Sequence, residues 1–256
     1  MTKLDRLGPI LLPIAMILIW ELACRVFEIP AFVLPSPLLI WGALIDNLYI
    51  IWFHASQTLF TTVIGFAIAV VFGAILGIMV GSSRFAYTSL YPMLVGFNSI
   101  PKVAIVPVLV VWFGIGAVPA VITAFMLSFF PIAVNVATGL ATIEPELRDV
   151  LRSLGASQLD IVRKIGIPRS LPYLFASLKI SITLAFVGSV ISETLASNRG
   201  IGTLMTQASA NFRIPLVFAG LVVIALMGVV MYAIFAIIEK RMTGWATRGT
   251  TFGVGG

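Results

Sequence analysis

The 256-residue sequence is 60% hydrophobic and 10% charged, with a mean hydropathy of +1.11. That composition excludes a soluble domain, and the length suits one membrane domain. The net charge of +6 excludes little, since its distribution matters more than its size, but a single cysteine, Cys24, excludes an internal disulfide and any cysteine-rich metal site.

Lys3 and Arg6 precede an apolar run over about residues 9–27, read as a helix because no small-x-small cleavage site follows it. Glu21 and Arg25 at its end are spaced as an i,i+4 pair. Residues 29–37, IPAFVLPSP, hold three prolines that enforce extended backbone, and 38–48 read as an interfacial helix. His54, beside Trp52 and Phe53, reads as an interfacial histidine, since a metal site needs converging ligands that are absent. A second span covers about 56–80, with Gly65, Ala69, Gly73, Gly77 and Gly81 at every fourth position. That is a smooth seam for close helix packing in lipid.

The third span, about 87–112, carries Pro92, Pro101 and Pro107. A tight turn at 113–116 leads to a fourth span, 117–140, expected to be broken by Pro131. A fifth span covers 173–195, a polar loop 197–215, and a sixth span 216–238, closed by Glu239-Lys240-Arg241. Spans of this length match a bilayer core about 30 Å thick. With the N-terminus inside, the cytosolic ends hold twelve basic residues: Lys3, Arg6, Arg84, Arg148, Arg152, Arg163, Lys164, Arg169, Lys179, Lys240, Arg241 and Arg248. The other side holds Arg25, Arg199 and Arg213, so the positive-inside rule fixes the orientation.

The stretch 142–172, TIEPELRDVLRSLGASQLDIVRKIGIPRSLP, is the longest charge-dense run and falls on the cytosolic side. Pro145 suits a helix's first turn, with Glu144 and Glu146 at the positive end of its dipole. Leu147, Val150, Leu151 and Leu154 form one apolar stripe, and Gly155 stands where a left-handed residue ends the helix. Ser157 and Asp160 read as a capping box opening a second short helix that Pro168 is expected to end. Exposed apolar stripes need a cover. The basic residues suit anionic lipid, but two capped helices joined at a glycine make a shaped knob that suits a protein groove.

Here the residues resemble a known family. Permease subunits of ATP-binding-cassette importers carry Glu-Ala-Ala, three residues, Gly, nine residues and Ile-x-Leu-Pro. Asp149-Val150-Leu151, Gly155, Ile165 and Pro168 stand at those spacings, with Ile167 for the leucine and both alanines replaced by larger residues. The blocks VLPSPLLIW, SIPKVAIVPVLVVWFGIG, FFPIAVNVATG, LRSLGAS and GIGTL occur in order and resemble the nitrate/sulfonate/taurine-type branch. The resemblance implies an all-α, type I importer fold with six transmembrane helices, both termini cytosolic, and a coupling-helix loop. By that analogy the ATPase-coupling residues are Glu146, Arg148, Asp149, Leu151, Arg152, Leu154, Gly155, Ala156, Ser157, Ile165 and Pro168.

It also implies two ATPase subunits, a second permease copy, and a periplasmic or lipid-anchored binding protein in a bacterial inner membrane. No cofactor is expected on this chain. It has no phosphate-cradling GxxxxGK[ST] and no nucleophile–base pair, so ATP and Mg belong to the partner. Membrane lipid is a partner, nucleic acid is not. Ionisable and polar groups within spans are functional candidates: Asn98, Ser99, Lys102, Asn135, Ser192 and Glu193 are expected to face the translocation path or its gate. A structural Lys102–Glu193 pair, or snorkelling of Lys102, is the alternative. Arg199 and Arg213 steer an anionic solute, meet a delivering protein, or are solvated loop charges. The chain divides into 1–55 (first helix and Pro-rich interfacial segment), 56–241 (permease core) and a tail, 242–256. The solute leans to a small anion such as a sulfonate, taurine or nitrate. The rival readings are an ion-coupled secondary transporter, disfavoured by the lack of inverted-repeat symmetry, and a membrane enzyme.

Overall fold

The computed structural model describes residues 3–243, all helix and connection with no strand among them. Arg248 and the tail beyond residue 243 lie outside the described residues, as do the side chains of Lys3 and Arg6. The helices are α1 (Lys3–Val26), α2 (Pro37–Asp46), α3 (Leu48–Gly81), α4 (Arg84–Asn98), α5 (Val106–Phe113) and α6 (Ala117–Ala141). They continue as α7 (Pro145–Ser153), α8 (Gln158–Ile161), α9 (Ile167–Ala196), α10 (Ile201–Ala210) and α11 (Ile214–Met242). Among the described residues four unbroken stretches, α3, α6, Gln158–Ala196 and α11, are long and apolar enough to cross a membrane. The bent α4–α5 pair makes a fifth. The expected count of six rests on α1, 24 residues long and about 36 Å at 1.5 Å per residue.

α6 is the centre. Ala120, Ala124, Ile132, Ala133 and Ala137 are fully buried on it, clamped between α3 and α9. The seam of small residues on α3 permits this approach. A Cβ added at Gly65 would lie 2.6 Å from the Ala124 Cβ, and one at Gly77 2.7 Å from the Ala133 carbonyl oxygen. Gly188 on α9 is as tight, 2.8 Å from the Thr123 carbonyl oxygen. In lipid, where apolar burial drives little, such backbone contact supplies much of the packing attraction. Around this core Phe72, Trp112, Leu226 and Val229 point outward, more than half exposed, as lipid-facing residues do. Gly77→Val is expected to cost about 1–3 kcal/mol, because a backbone carbonyl cannot step aside as a side chain can. Thermal unfolding in detergent should show a lower Tm for it, and an unchanged or higher one for Gly228→Ala, which meets nothing within 4 Å.

Four expectations change. The third span is bent by 71° where Ser99, Ile100 and Pro101 leave the helix, before a single 3-10 turn over Lys102–Ile105. Pro131 does not break α6, which runs through it. The flanking helices hold α6 straight enough to outweigh one lost hydrogen bond. The loop 197–215 is no loop, because α10 buries Ile201, Leu204 and Ala208 against its neighbours. Finally, the helix begun at Gln158 does not end at Pro168.

Candidate functional site

α7 opens on Pro145 and closes in a Schellman motif. Gly155, at φ 84°, donates to the Arg152 carbonyl at 2.9 Å, and Ala156 donates to the Leu151 carbonyl at 3.0 Å. A left-handed residue here is cheap only for glycine. The next residue but one starts α8. The Asp160 amide donates to the Ser157 hydroxyl at 3.2 Å, while the Asp160 carboxylate accepts from the Ser157 amide at 3.3 Å, a complete capping box. One turn of π-helix over Val162–Gly166 joins α8 to α9, with the Ile167 amide reaching back to the Val162 carbonyl. The widened turn accommodates the Pro168 ring, so that proline lies within a rod rather than ending one.

This rod, Gln158–Ala196, has 39 residues and is roughly 58 Å long at 1.5 Å per residue. Ile161 is buried, and Gly166 packs against Leu140 and Ile143, which moors the start of the rod to the end of α6. Ile165 is half-buried beside them. Two contacts tie α7 and α8 together and to the α3–α4 corner. The Gln158 amide donates to the Ser82 carbonyl at 2.8 Å, and Arg152 donates to the Gln158 side-chain oxygen at 3.1 Å. Gln158 and Ser82 carry no sequence signal that joins them. Asp149 is exposed 3.9 Å from Arg152, and Glu144 lies 3.7 Å from Arg169. Of the α7 stripe, Leu147 and Leu151 are half-buried, while Val150 and Leu154 are exposed and unpartnered within this chain. Glu146 and Ser157 complete the outward rim of the knob, with Ala156 half-buried between the two helices.

The Ser157 hydroxyl, with Lys164 3.3 Å away, holds the Asp160 carboxyl below its ordinary value of 3.8. A depressed carboxylate stabilises above its unfolded value and loses that contribution as pH falls through the folded one. The box is therefore constant across the neutral range and opens only in acid below 3.8. Asp160→Ala is expected to speed amide exchange at residues 157–161 at neutral pH while leaving α7 protected, a difference that hydrogen-exchange mass spectrometry reads directly.

The polar residues of the spans fall into separate places. Lys102 does not meet Glu193. Its ammonium donates to the carbonyl and side-chain oxygens of Asn98, both at 2.8 Å, at the bend of the third span. Asn98 and Ser99 are exposed there, with the Ser99 hydroxyl on the Val95 carbonyl. Asn135 donates to the Pro131 carbonyl at 2.8 Å within α6. Ser192 and Glu193 are buried on α9.

Glu193 is the acceptor at the centre of a closed polar nest. Thr58 donates to it at 2.8 Å, Thr61 at 3.4 Å and the Gly202 amide at 3.2 Å, while the Ile201 amide donates to the Thr58 hydroxyl at 2.8 Å. Gly200, at φ 134°, lets the chain pass directly over the carboxyl, where any Cβ would collide with it. His54 belongs here rather than at an interface. It is buried, with Nδ1 against both backbone polar atoms of Gly200. Arg199 stacks 3.8 Å over the Phe53 ring and donates to the Phe53 carbonyl, and Arg213 donates to the Asn47 side chain at 2.8 Å. Neither is a free loop charge.

The sequence signature of the binding-protein-dependent transport system inner membrane components matches residues 69–244. The formylaminopyrimidine transport permease ThiX of Halalkalibacterium halodurans is 30% identical over 240 residues, 93% of this chain and 96% of that protein. The riboflavin transport permease RibX of Chloroflexus aurantiacus is 32% identical over 241 residues, 91% of this chain and 89% of that protein. The aliphatic sulfonate permease SsuC of Bacillus subtilis, described as putative in its name, is 26% identical over 92% and 86%. In fold, a chain of the MetNI methionine ABC transporter, solved in inward-facing conformations, superposes with a TM-score of 0.58 at 22% identity, over 77% of this chain and 95% of that one. The chain belongs to the binding-protein-dependent transport system inner membrane component family: it is a multi-pass ABC importer permease subunit, not an enzyme, and works with a separate ATPase and a substrate-binding protein.

Proposed function

We propose that two copies of this chain form the translocation path in a bacterial inner membrane, both termini cytoplasmic, each copy carrying the α7–α8 knob into a groove of its own ATPase subunit. ATP and Mg are held by that subunit, not by this chain. The supporting observation is mechanical continuity: α8, the π turn and α9 are one rod, moored to α6 at Gly166 and ending at the Glu193 nest. A displacement of the knob by a closing ATPase is carried along the rod to the far side of the bundle, as alternating access requires. Swinging a two-state equilibrium from 1:99 to 99:1 takes about 5.5 kcal/mol of differential binding, within the reach of nucleotide-driven closure. The bend at Ser99–Pro101, with Lys102 beside it, is where the path narrows in this reading.

For the solute we propose a small ring-bearing organic compound of pyrimidine or flavin type, because the relatives named for such solutes match nine-tenths of the chain at 30% and 32% identity. A small anion, such as a sulfonate, taurine or nitrate, is the second reading, favoured by the half-buried Lys102. The Asn98 oxygens already meet that ammonium, which weakens it. The test is uptake into proteoliposomes by the full complex with its own binding protein, offered a formylaminopyrimidine, riboflavin, taurine and nitrate in turn. ATP-dependent uptake of a ring compound supports the first reading, and uptake of taurine or nitrate alone replaces it with the second. Undiminished uptake without a bound ATPase would sink the importer mechanism itself.

A further inference from the structure

A cavity of about 860 Å³ lies at the base of the knob, between the α3–α4 corner, the end of α6 and α7. Its wall carries three guanidinium groups, Arg84, Arg148 and Arg152, against one carboxylate, Asp149, which Arg152 already faces. The Arg148 Nε is shut off from solvent and makes no hydrogen bond. A buried donor without an acceptor is costly, so a small shift that turns this side chain toward an acceptor in the cavity is favoured. The N-cap of α4 adds the Ser83 hydroxyl, which accepts from the Ala86 amide and keeps its own proton to donate, at the positive end of a 15-residue helix. A compact anion with several oxygens satisfies this wall. Phosphate fits it best, since guanidinium forks match its oxygens in pairs.

Position says what carries the phosphate. The cavity sits where α3 ends at Gly81 and α6 ends at Ala141, the level at which two membrane spans reach the headgroup layer. The same two helices form a second, wholly apolar groove of about 230 Å³ lined by Phe72, Ile75, Leu76, Met79, Phe125 and Phe129. Along α3 it starts at Met79, two residues below Gly81, about 3 Å of helix rise. A basic chamber at the membrane surface, with an apolar trough beside it in height on the same helix pair, suits a headgroup and an acyl chain. Basic pockets between spans are a recurring way to hold anionic headgroups.

We propose that this cavity is a binding site for the headgroup phosphate of an anionic phospholipid. The Gln158–Ser82 bond closes one wall, so a bound headgroup braces the knob against the α3–α4 corner.

The test uses the purified permease–ATPase complex in a neutral detergent, titrated with phosphatidylglycerol and read by native mass spectrometry. The Arg84→Gln/Arg148→Gln variant is expected to bind it about thirtyfold more weakly, the effect of removing two surface charges. Arg84→Lys/Arg148→Lys, which keeps the charge but loses the forks, should bind more tightly than the Gln variant and less tightly than the unaltered chain, which excludes a folding defect. Lys240→Gln/Arg241→Gln, equally basic but outside the cavity, should bind as the unaltered chain does. Equal binding by the unaltered chain and the Arg84→Gln/Arg148→Gln variant overturns the proposal. So does inorganic phosphate displacing the lipid at like concentration, which makes a free anion the ligand. Retention by the isolated permease but not by the complex also overturns it, and assigns the cavity to an acidic segment of the ATPase.

Discussion

Replacing Gly155 with proline is expected to abolish ATP-driven uptake while leaving the permease–ATPase complex assembled. Gly155 has φ 84° and donates to the Arg152 carbonyl. Proline is held near −65° and has no donor, a mismatch worth about 3 kcal/mol or more, so the α7–α8 angle cannot survive. The helices on either side keep their own determinants: α7 its proline start and apolar stripe, α8 its capping box. The expected phenotype is therefore a knob that forms but points wrongly. ATPase activity in proteoliposomes should persist and cease to respond to the loaded binding protein. Gly155→Ala, which meets nothing within 4 Å but pays about 1–2 kcal/mol for the left-handed conformation, should lose only part of the response. Asp149→Arg puts a second cation beside Arg152 on the exposed rim and tests the surface rather than the angle. Full uptake by the Gly155→Pro variant would show that the loop does not transmit force.

The second large effect is expected at Glu193. In Glu193→Ala the two threonines have fallbacks, since Thr58 also reaches the His54 carbonyl at 3.4 Å and Thr61 the Gln57 carbonyl at 3.1 Å. The Gly202 amide has no other acceptor and is buried, and the lost side chain leaves a void under Gly200. Together these cost about 2–5 kcal/mol, the range for an orphaned buried donor plus a cavity. Glu193→Gln keeps a carbonyl acceptor and should cost less. Thermal unfolding in detergent should rank them unaltered, Gln, Ala. Faster amide exchange at residues 200–204 in the Ala variant would locate the damage at the α9–α10 corner. Equal Tm values for all three would show that the nest does not hold that corner.

The two sites differ in how they could be read. The knob is local. Pro145, Gly155, Ser157 and Asp160 each act on backbone within a few residues, so their spacing along the chain specifies caps, turn and stripe before any tertiary contact exists. The seam Gly65–Gly73–Gly77–Gly81 is equally legible, because helical period alone puts those residues on one face. The family resemblance of the loop and the ordered blocks then supplied the importer reading, which the signature over residues 69–244 bears out. Non-local contacts were not legible. His54 and Gly200 are 146 positions apart, and Thr58 and Glu193 135. No pattern within either segment announces the other.

The same distinction explains the breaks. A proline's local effect is fixed by its ring, but whether a helix ends there depends on what holds its two halves in line. Pro131 and Pro168 lie in helices clamped by neighbours or relieved by a π turn, and the chain runs through them. Pro101 follows two residues that leave the helix, and there the span bends by 71°. By itself the sequence determined that this is a helical membrane protein with a capped, glycine-jointed knob, because composition, capping and helical period act within a turn or two, and its resemblance to a known family added the permease reading. The tertiary structure alone decided that Glu193 sits in a nest away from Lys102, that α10 is a helix, and that α8 and α9 form one rod. Those outcomes depend on which elements meet in space: Thr58 reaches Glu193 across 135 positions, α10 is buried against its neighbours and Gly166 against Leu140, and only packing settles that.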